Sequence, residues 1–151
     1  MKYRFEHVNI TKDFAKSLMQ KGWVFDWSIM PNTDLEVINL SVFAGSVLEG
    51  LAYYAQDRKE LYNFLYLLEI APHNRGEGRI NSDVAGVILA YVARDSIEAG
   101  FDGFVVFEPI SVLRELYASK YGAKPIGNNR MYFDTQGAES LVRKYLERSQ
   151  A

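Results

Sequence analysis

The stretch Leu67 to Gly100, LLEIAPHNRGEGRINSDVAGVILAYVARDSIEAG, carries the clearest chemistry in the chain. A strand-like apolar run stops at Ala71-Pro72, a loop with glycines and arginines follows, and a helix-like run closes at Gly100. Strand, loop and helix N-terminus together make a phosphate cradle, because the first N–H groups of the helix lack acceptors and its dipole places positive charge there. Two segments compete to be the turn. RGEG (Arg75 to Gly78) has the glycines, whereas DVAGV (Asp83 to Val87) lies nearer the regular helical pattern.

Helix propensity separates them. A helix beginning at Ile80 would open with Asn81, Ser82, Asp83 and Gly86, a penalty of roughly 2–3 kcal/mol against alanine. A start just after Asp83 removes most of that cost and offers Asp83 as an N-cap worth about 1 kcal/mol. The expected anion donors are therefore the N–H groups of Val84, Ala85, Gly86 and Val87. HNRGEGRINS becomes an exposed inserted loop, and its Arg75 and Arg79 can fold back onto phosphates. Asp83 sets a conflict. A carboxylate about 4 Å from a phosphate repels it by about 4 kcal/mol at an effective dielectric near 20.

Other chemistries are excluded by composition. The chain has no cysteine, which removes disulfides, thiolate nucleophiles and thiolate metal sites. His7 and His73 stand apart, without metal-ligand spacing, so no metal site is expected. Net charge is −2 and the pI about 5.7, which gives no basic field for nucleic acid. The start, MKYRFEHVNITKDF, is too charged for a signal peptide, and no apolar run reaches the roughly 18 residues of a membrane span. The expectation is a cytoplasmic protein of one domain, residues 1–151, without nucleic-acid or membrane partners.

The elements that must position the cradle follow from periodicity. YRFEHV alternates as a first strand, and Thr11 is placed to cap a helix that Gly22 closes. LEVINLSV, SVLEGLAYYAQ and LYNFLYLLEIA read as three strands in an antiparallel meander. Alternation puts Asn63, Leu65, Leu67 and Glu69 on one face of the last of them. After the central helix come a strand, FVVF, and a helix from about Val112 capped by Ser111. A hairpin about Asn128-Asn129 follows, and then a helix burying Leu141, Val142, Tyr145 and Leu146. The result is a mixed α/β arrangement on one sheet, with the fourth and fifth strands parallel because a helix crosses over between them.

That order and its punctuation resemble the GNAT (Gcn5-related N-acetyltransferase) superfamily. LLEIAP is similar to the family's fourth-strand ending L-x-V-x-P, with Leu68, Ile70 and Pro72 in place. EAGFDGFVVFE resembles the turn into the fifth strand. ELYASKYGAK is similar to the Y-E-K-x-G-F motif, with Tyr117, Lys120 and Gly122 in register and Ala123 in place of the aromatic. The motifs lie between Tyr62 and Asp134, about half the chain, and the first sixty residues match by element order alone. RGEGRI fits the family's Q/R-x-x-G-x-G/A loop except at Ile80. The family's helix length, about four turns, nevertheless places DVAGV in the pyrophosphate loop.

The resemblance implies a GNAT-like fold whose fourth and fifth strands splay into a V-shaped cleft, with acetyl-CoA as acyl donor and no metal. It implies that Leu68 and Ile70 hold the pantetheine arm, that Val84, Ala85, Gly86 and Val87 with Arg79 meet the pyrophosphate, and that Tyr117 is the general acid. The amine of a small molecule or peptide would attack directly, and a homodimer is left open. No base is evident; Glu69 is the one carboxylate on its strand, and a water chain can serve instead. A reading from another class is a protein of this fold that binds or assembles without productive CoA binding. Asp83, Ala123 and the missing base speak for it.

Overall fold

The computed structural model describes residues 2–76, 83–110 and 113–147. Its elements run β1 (Arg4–Glu6), α1 (Lys12–Gln20), β2 (Val37–Ala44), β3 (Val47–Asp57), β4 (Tyr62–Ile70), α2 (Val84–Glu98), β5 (Val105–Phe107), α3 (Arg114–Tyr121), β6 (Lys124–Ile126), β7 (Arg130–Phe133) and α4 (Thr135–Leu141). The last helix widens into π-type turns over Val142–Glu147. The strands form a seven-stranded sheet ordered β1-β2-β3-β4-β5-β7-β6. Its pairs are antiparallel except β4 and β5, which run parallel with Asn63, Phe64 and Leu65 beside Val105, Val106 and Phe107. The crossover through α2 enforces that direction.

Two apolar cores flank the sheet. One is built by α2, which is buried almost all round from Val84 to Ser96, together with the C-terminal Leu141, Tyr145 and Leu146. The other holds Ala15 and Leu18 of α1 with Trp23, Trp27, Leu51 and Tyr53. Thr11 caps α1 as its position predicts, its Oγ1 accepting from the Phe14 N–H at 3.1 Å.

Three local expectations need correction. First, β4 carries a bulge: Tyr53 pairs with Leu67 and Tyr54 with Leu65, so Tyr66 is the extra residue. The side-chain period of two is broken there. Leu65, Leu68 and Ile70 consequently face the α2 core, while Tyr66 and Leu67 face the α1 core. Second, α3 begins at Arg114, with Leu113 at the N-cap and no side-chain cap bond. Ser111 and Val112 lie outside the described residues. Third, Gly127, at φ 64°, takes the left-handed position near the hairpin, and neither Asn128 nor Asn129 does.

Candidate active site

The β4–β5 ladder ends at Leu65 and Phe107, while β4 runs on to Ile70 along β3. The β5-facing edge of Tyr66 to Ile70 therefore has no strand partner among the described residues. This is the expected divergence, and a cleft of about 100 Å³ fills it, walled by Leu65, Leu68, Phe107, Ile110 and Tyr117, with Phe25 at the lip. That volume suits an acyl group and a primary amine.

Tyr117 reaches the cleft from α3. Its ring meets Phe107 edge-on at 5.0 Å and Tyr121 at 5.9 Å. Burial holds its hydroxyl above the ordinary tyrosine value, so it keeps its proton at neutral pH. Positions four apart share a helix face, which puts Tyr121 one turn along from Tyr117 and carries the same face of α3 to the start of α2.

There, α2 begins at Val84, next to Asp83 as its propensity indicates, but Asp83 does not cap it. Asp83 adopts a left-handed conformation at φ 80°, the backbone position that favours glycine. Its Oδ1 accepts from the Tyr121 hydroxyl at 2.7 Å and lies 3.3 Å from Nζ of Lys120. The expected cap is thus replaced by partners 37 and 38 residues away, which no local pattern announces. Among the described residues the first intrahelical donor is Val87, bonded to the Asp83 carbonyl at 3.2 Å, and the N–H groups of Asp83, Val84, Ala85 and Gly86 precede it. Val87 therefore has its N–H engaged within the helix, whereas Val84, Ala85 and Gly86 present theirs at the helix mouth. Gly86 has a packing reason as well: a Cβ there would stand 2.7 Å from the Tyr145 ring.

The loop before α2 is anchored at its first residues, contrary to a freely exposed excursion. Pro72–Asn74 form a 3₁₀ turn with Asn74 buried. His73 pairs with the buried Glu49 at 2.9 Å, and Asn74 donates to the same carboxylate at 3.0 Å. Arg75 donates to Glu69 at 2.9 Å and to the Ile70 carbonyl at 3.2 Å, so its charge is spent beneath the strand end. Arg79 and the rest of HNRGEGRINS from Glu77 onward lie outside the described residues.

Glu69 is saturated. It accepts from the N–H groups of Val24 at 2.6 Å and Phe25 at 3.1 Å, from Nε1 of Trp27 at 2.8 Å, and from Arg75. A carboxylate offers about four such sites, so no lone pair is left for a proton from substrate. Its work is to hold the Val24–Trp27 loop, and with it Phe25, over the cleft. Sequence reasoning missed Phe25, Phe107, Lys120 and Tyr121; only Lys120 had a signal, its place in the Y-E-K-x-G-F resemblance.

Among the described residues no group of His, Asp and Glu is arranged to hold a metal ion. Nor is any helix among them long and apolar enough to cross a membrane.

No protein-family model matches the chain, and no curated protein matches it by sequence. Among solved structures, a tyrosine-to-phenylalanine variant of the AtaT toxin, bound to the C-terminus of the antitoxin AtaR, is similar over 72% of this chain and 72% of that one. The TM-score is 0.50 and the identity 15%, a likeness of fold. With the parallel, diverging β4–β5 pair and the helix crossover between them, the chain has a GNAT-like fold.

Proposed function

We propose that the protein is an acetyl-CoA-dependent N-acyltransferase acting on an amine of a small molecule or peptide. The observation that carries this reading is the bridge made by α3. It brings Tyr117 to the cleft and Tyr121 against Asp83 at the mouth of α2, so the proposed acid and anion donors are joined through α3. The residues fit the cofactor at both ends: N–H groups of Val84, Ala85 and Gly86 without a side-chain cap among the described residues for pyrophosphate, and an edge at Leu68 and Ile70 unpaired among them for pantetheine.

Acetyl-CoA, when bound, supplies an acyl carbon whose bond to sulfur is exchanged for a bond to the acceptor nitrogen. The β4 edge orients that carbon, and the apolar cleft walls exclude bulk water. Tyr117, kept protonated by burial, gives its proton to the departing sulfur. The proton lost by the amine passes to water, since Glu69 has no free lone pair. Asp83 weakens anion binding less than its charge alone suggests, because Lys120 stands beside it.

A second reading keeps the fold without the transfer. Asp83 still puts a carboxylate at the phosphate position, and the solved neighbour is a toxin held by an antitoxin segment, which makes binding of a partner peptide the natural alternative. The two readings separate on one assay: release of free thiol from acetyl-CoA in the presence of a panel of amines. Amine-dependent release supports transfer. Its absence across the panel, with the protein folded, favours the binding module.

A further inference from the structure

The walls of the β4–β5 cleft are almost wholly aromatic and aliphatic, and Phe25 and Ile110 belong to its lining from the loops before β2 and after β5. Both of these residues are fixed. The Phe25 N–H is held by Glu69 at 3.1 Å, and its ring meets the fully buried Trp27 edge-on with centroids 6.5 Å apart. The Ile110 carbonyl accepts from the Leu113 N–H at 2.8 Å, yet the Ile110 side chain is 59% exposed. A held aliphatic group that faces water beside an apolar cleft is surface a ligand can cover.

The cleft gives a second charge no counterpart. Glu108 is the one carboxylate among the described lining residues, and its Oε1 lies 3.1 Å from Nε of Arg130. The Tyr66 hydroxyl donates to Oγ1 of Thr33 at 3.0 Å, and burial keeps the proton on Tyr117. Glu69, under the strand end, has its lone pairs filled. An ammonium that enters among these walls loses water without gaining an anion. The reacting amine avoids that cost by shedding its proton, which attack requires in any case. A second ammonium on the same molecule has no such route.

We propose that the acceptor is a monoamine on an apolar body, and that Phe25 and Ile110 set this preference. It rests on the acyl-transfer reading and names its substrate class: a primary alkyl or arylalkyl amine without a second charge. The nitrogen takes the acyl carbon from sulfur and loses a proton to water, while the departing sulfur gains one from Tyr117. The apolar body leaves the cleft against Phe25 and Ile110, where its burial favours binding in proportion to the area covered.

The test follows thiol release from acetyl-CoA with pentylamine and with 1,4-diaminobutane, in which an ammonium replaces the terminal methyl. kcat/KM is expected to be at least tenfold higher for pentylamine. Ile110→Asp, at an exposed position, adds a carboxylate and should cut that ratio at least threefold by favouring the diamine. Phe25→Ala should cut it at least threefold by raising the pentylamine KM. A wild-type ratio under tenfold, or a ratio that both variants leave unchanged, would overturn the proposal and leave the transfer reading standing. Binding is read separately, from the amide shifts of Phe25 and Ile110 as each amine is added to the intact protein without acetyl-CoA. Shifts that saturate at a tenfold lower concentration of pentylamine, with no thiol release from either amine, sink the acyltransferase reading and leave the apolar amine site standing. No shift and no release with either amine overturns both.

Discussion

The Tyr121 hydroxyl donates to Oδ1 of Asp83 at 2.7 Å, so the carboxylate at the mouth of α2 is turned toward α3 instead of across the helix end. That contact decides what Asp83 does. It ties the start of α2 to the helix that carries Tyr117, and it leaves the first N–H groups of α2 without a side-chain cap among the described residues.

Replacing Asp83 with glycine removes the hydrogen bond from Tyr121 and the ion pair with Lys120, a loss of about 1–2 kcal/mol for a partly exposed pair. Glycine recovers about 1 kcal/mol by relieving the left-handed backbone at φ 80°. Stability should change by about 1 kcal/mol or less in a thermal melt. Acetyl-CoA should bind about tenfold more tightly by calorimetry, since the carboxylate is already partly neutralised and its full repulsion is not recovered. Weaker binding in Asp83→Gly would show that the anion seats elsewhere.

Tyr117→Phe keeps the ring contacts with Phe107 and Tyr121 and deletes the proton. Turnover should fall about 100-fold with the acceptor KM and the melting temperature unchanged. Because burial raises the Tyr117 pKa, the wild-type rate should rise with pH as the amine deprotonates. It should show no descending limb through the ordinary tyrosine range near 10.

Glu69→Ala should destabilise the fold by about 3–5 kcal/mol in urea titrations. It strands the Arg75 guanidinium, the Trp27 Nε1–H and two backbone N–H groups around a buried void. A change under 1 kcal/mol would mean that the Val24–Trp27 loop holds itself.

Tyr54, Tyr117 and Tyr121 all have pKa values raised above the tyrosine norm, with burial as the first cause. Folded tyrosines therefore retain protons that the unfolded chain gives up above about pH 10. Their contribution is complete below that pH and declines as pH climbs toward the raised folded values. Melting temperatures should be flat with respect to these groups up to about pH 9.5 and fall steeply beyond it. A melting temperature that holds through pH 11 would contradict the burial of these hydroxyls.

Much of this was legible in the sequence because it is local. The alternation of β2, β3 and β4 and the Thr11 cap are short-range signals, and the parallel β4–β5 pair follows from one crossover. The start of α2 was legible from propensity, since Asn81, Ser82 and Asp83 resist a helix. The rest was set at long range. Nothing in YNFLYLLEI marks Tyr66 as a bulge, so alternation put Glu69 on the face of Asn63 and Leu65. The partners that saturate Glu69 lie 42 to 45 residues before it and six after it. The partners that draw Asp83 off its helix come from α3, and neither set has a spacing rule.

The central claim is that the open N–H groups of α2 and the free edge of β4 form one acyl-CoA site. Backbone amide shifts followed by NMR as acetyl-CoA is added to the intact protein test it most directly. The account predicts saturable shifts concentrated at Val84, Ala85 and Gly86 and at Leu68 and Ile70, with Tyr117 moving at the same ligand concentration. A protein that shows no shift at millimolar acetyl-CoA, or shifts confined to residues away from α2 and β4, would contradict it.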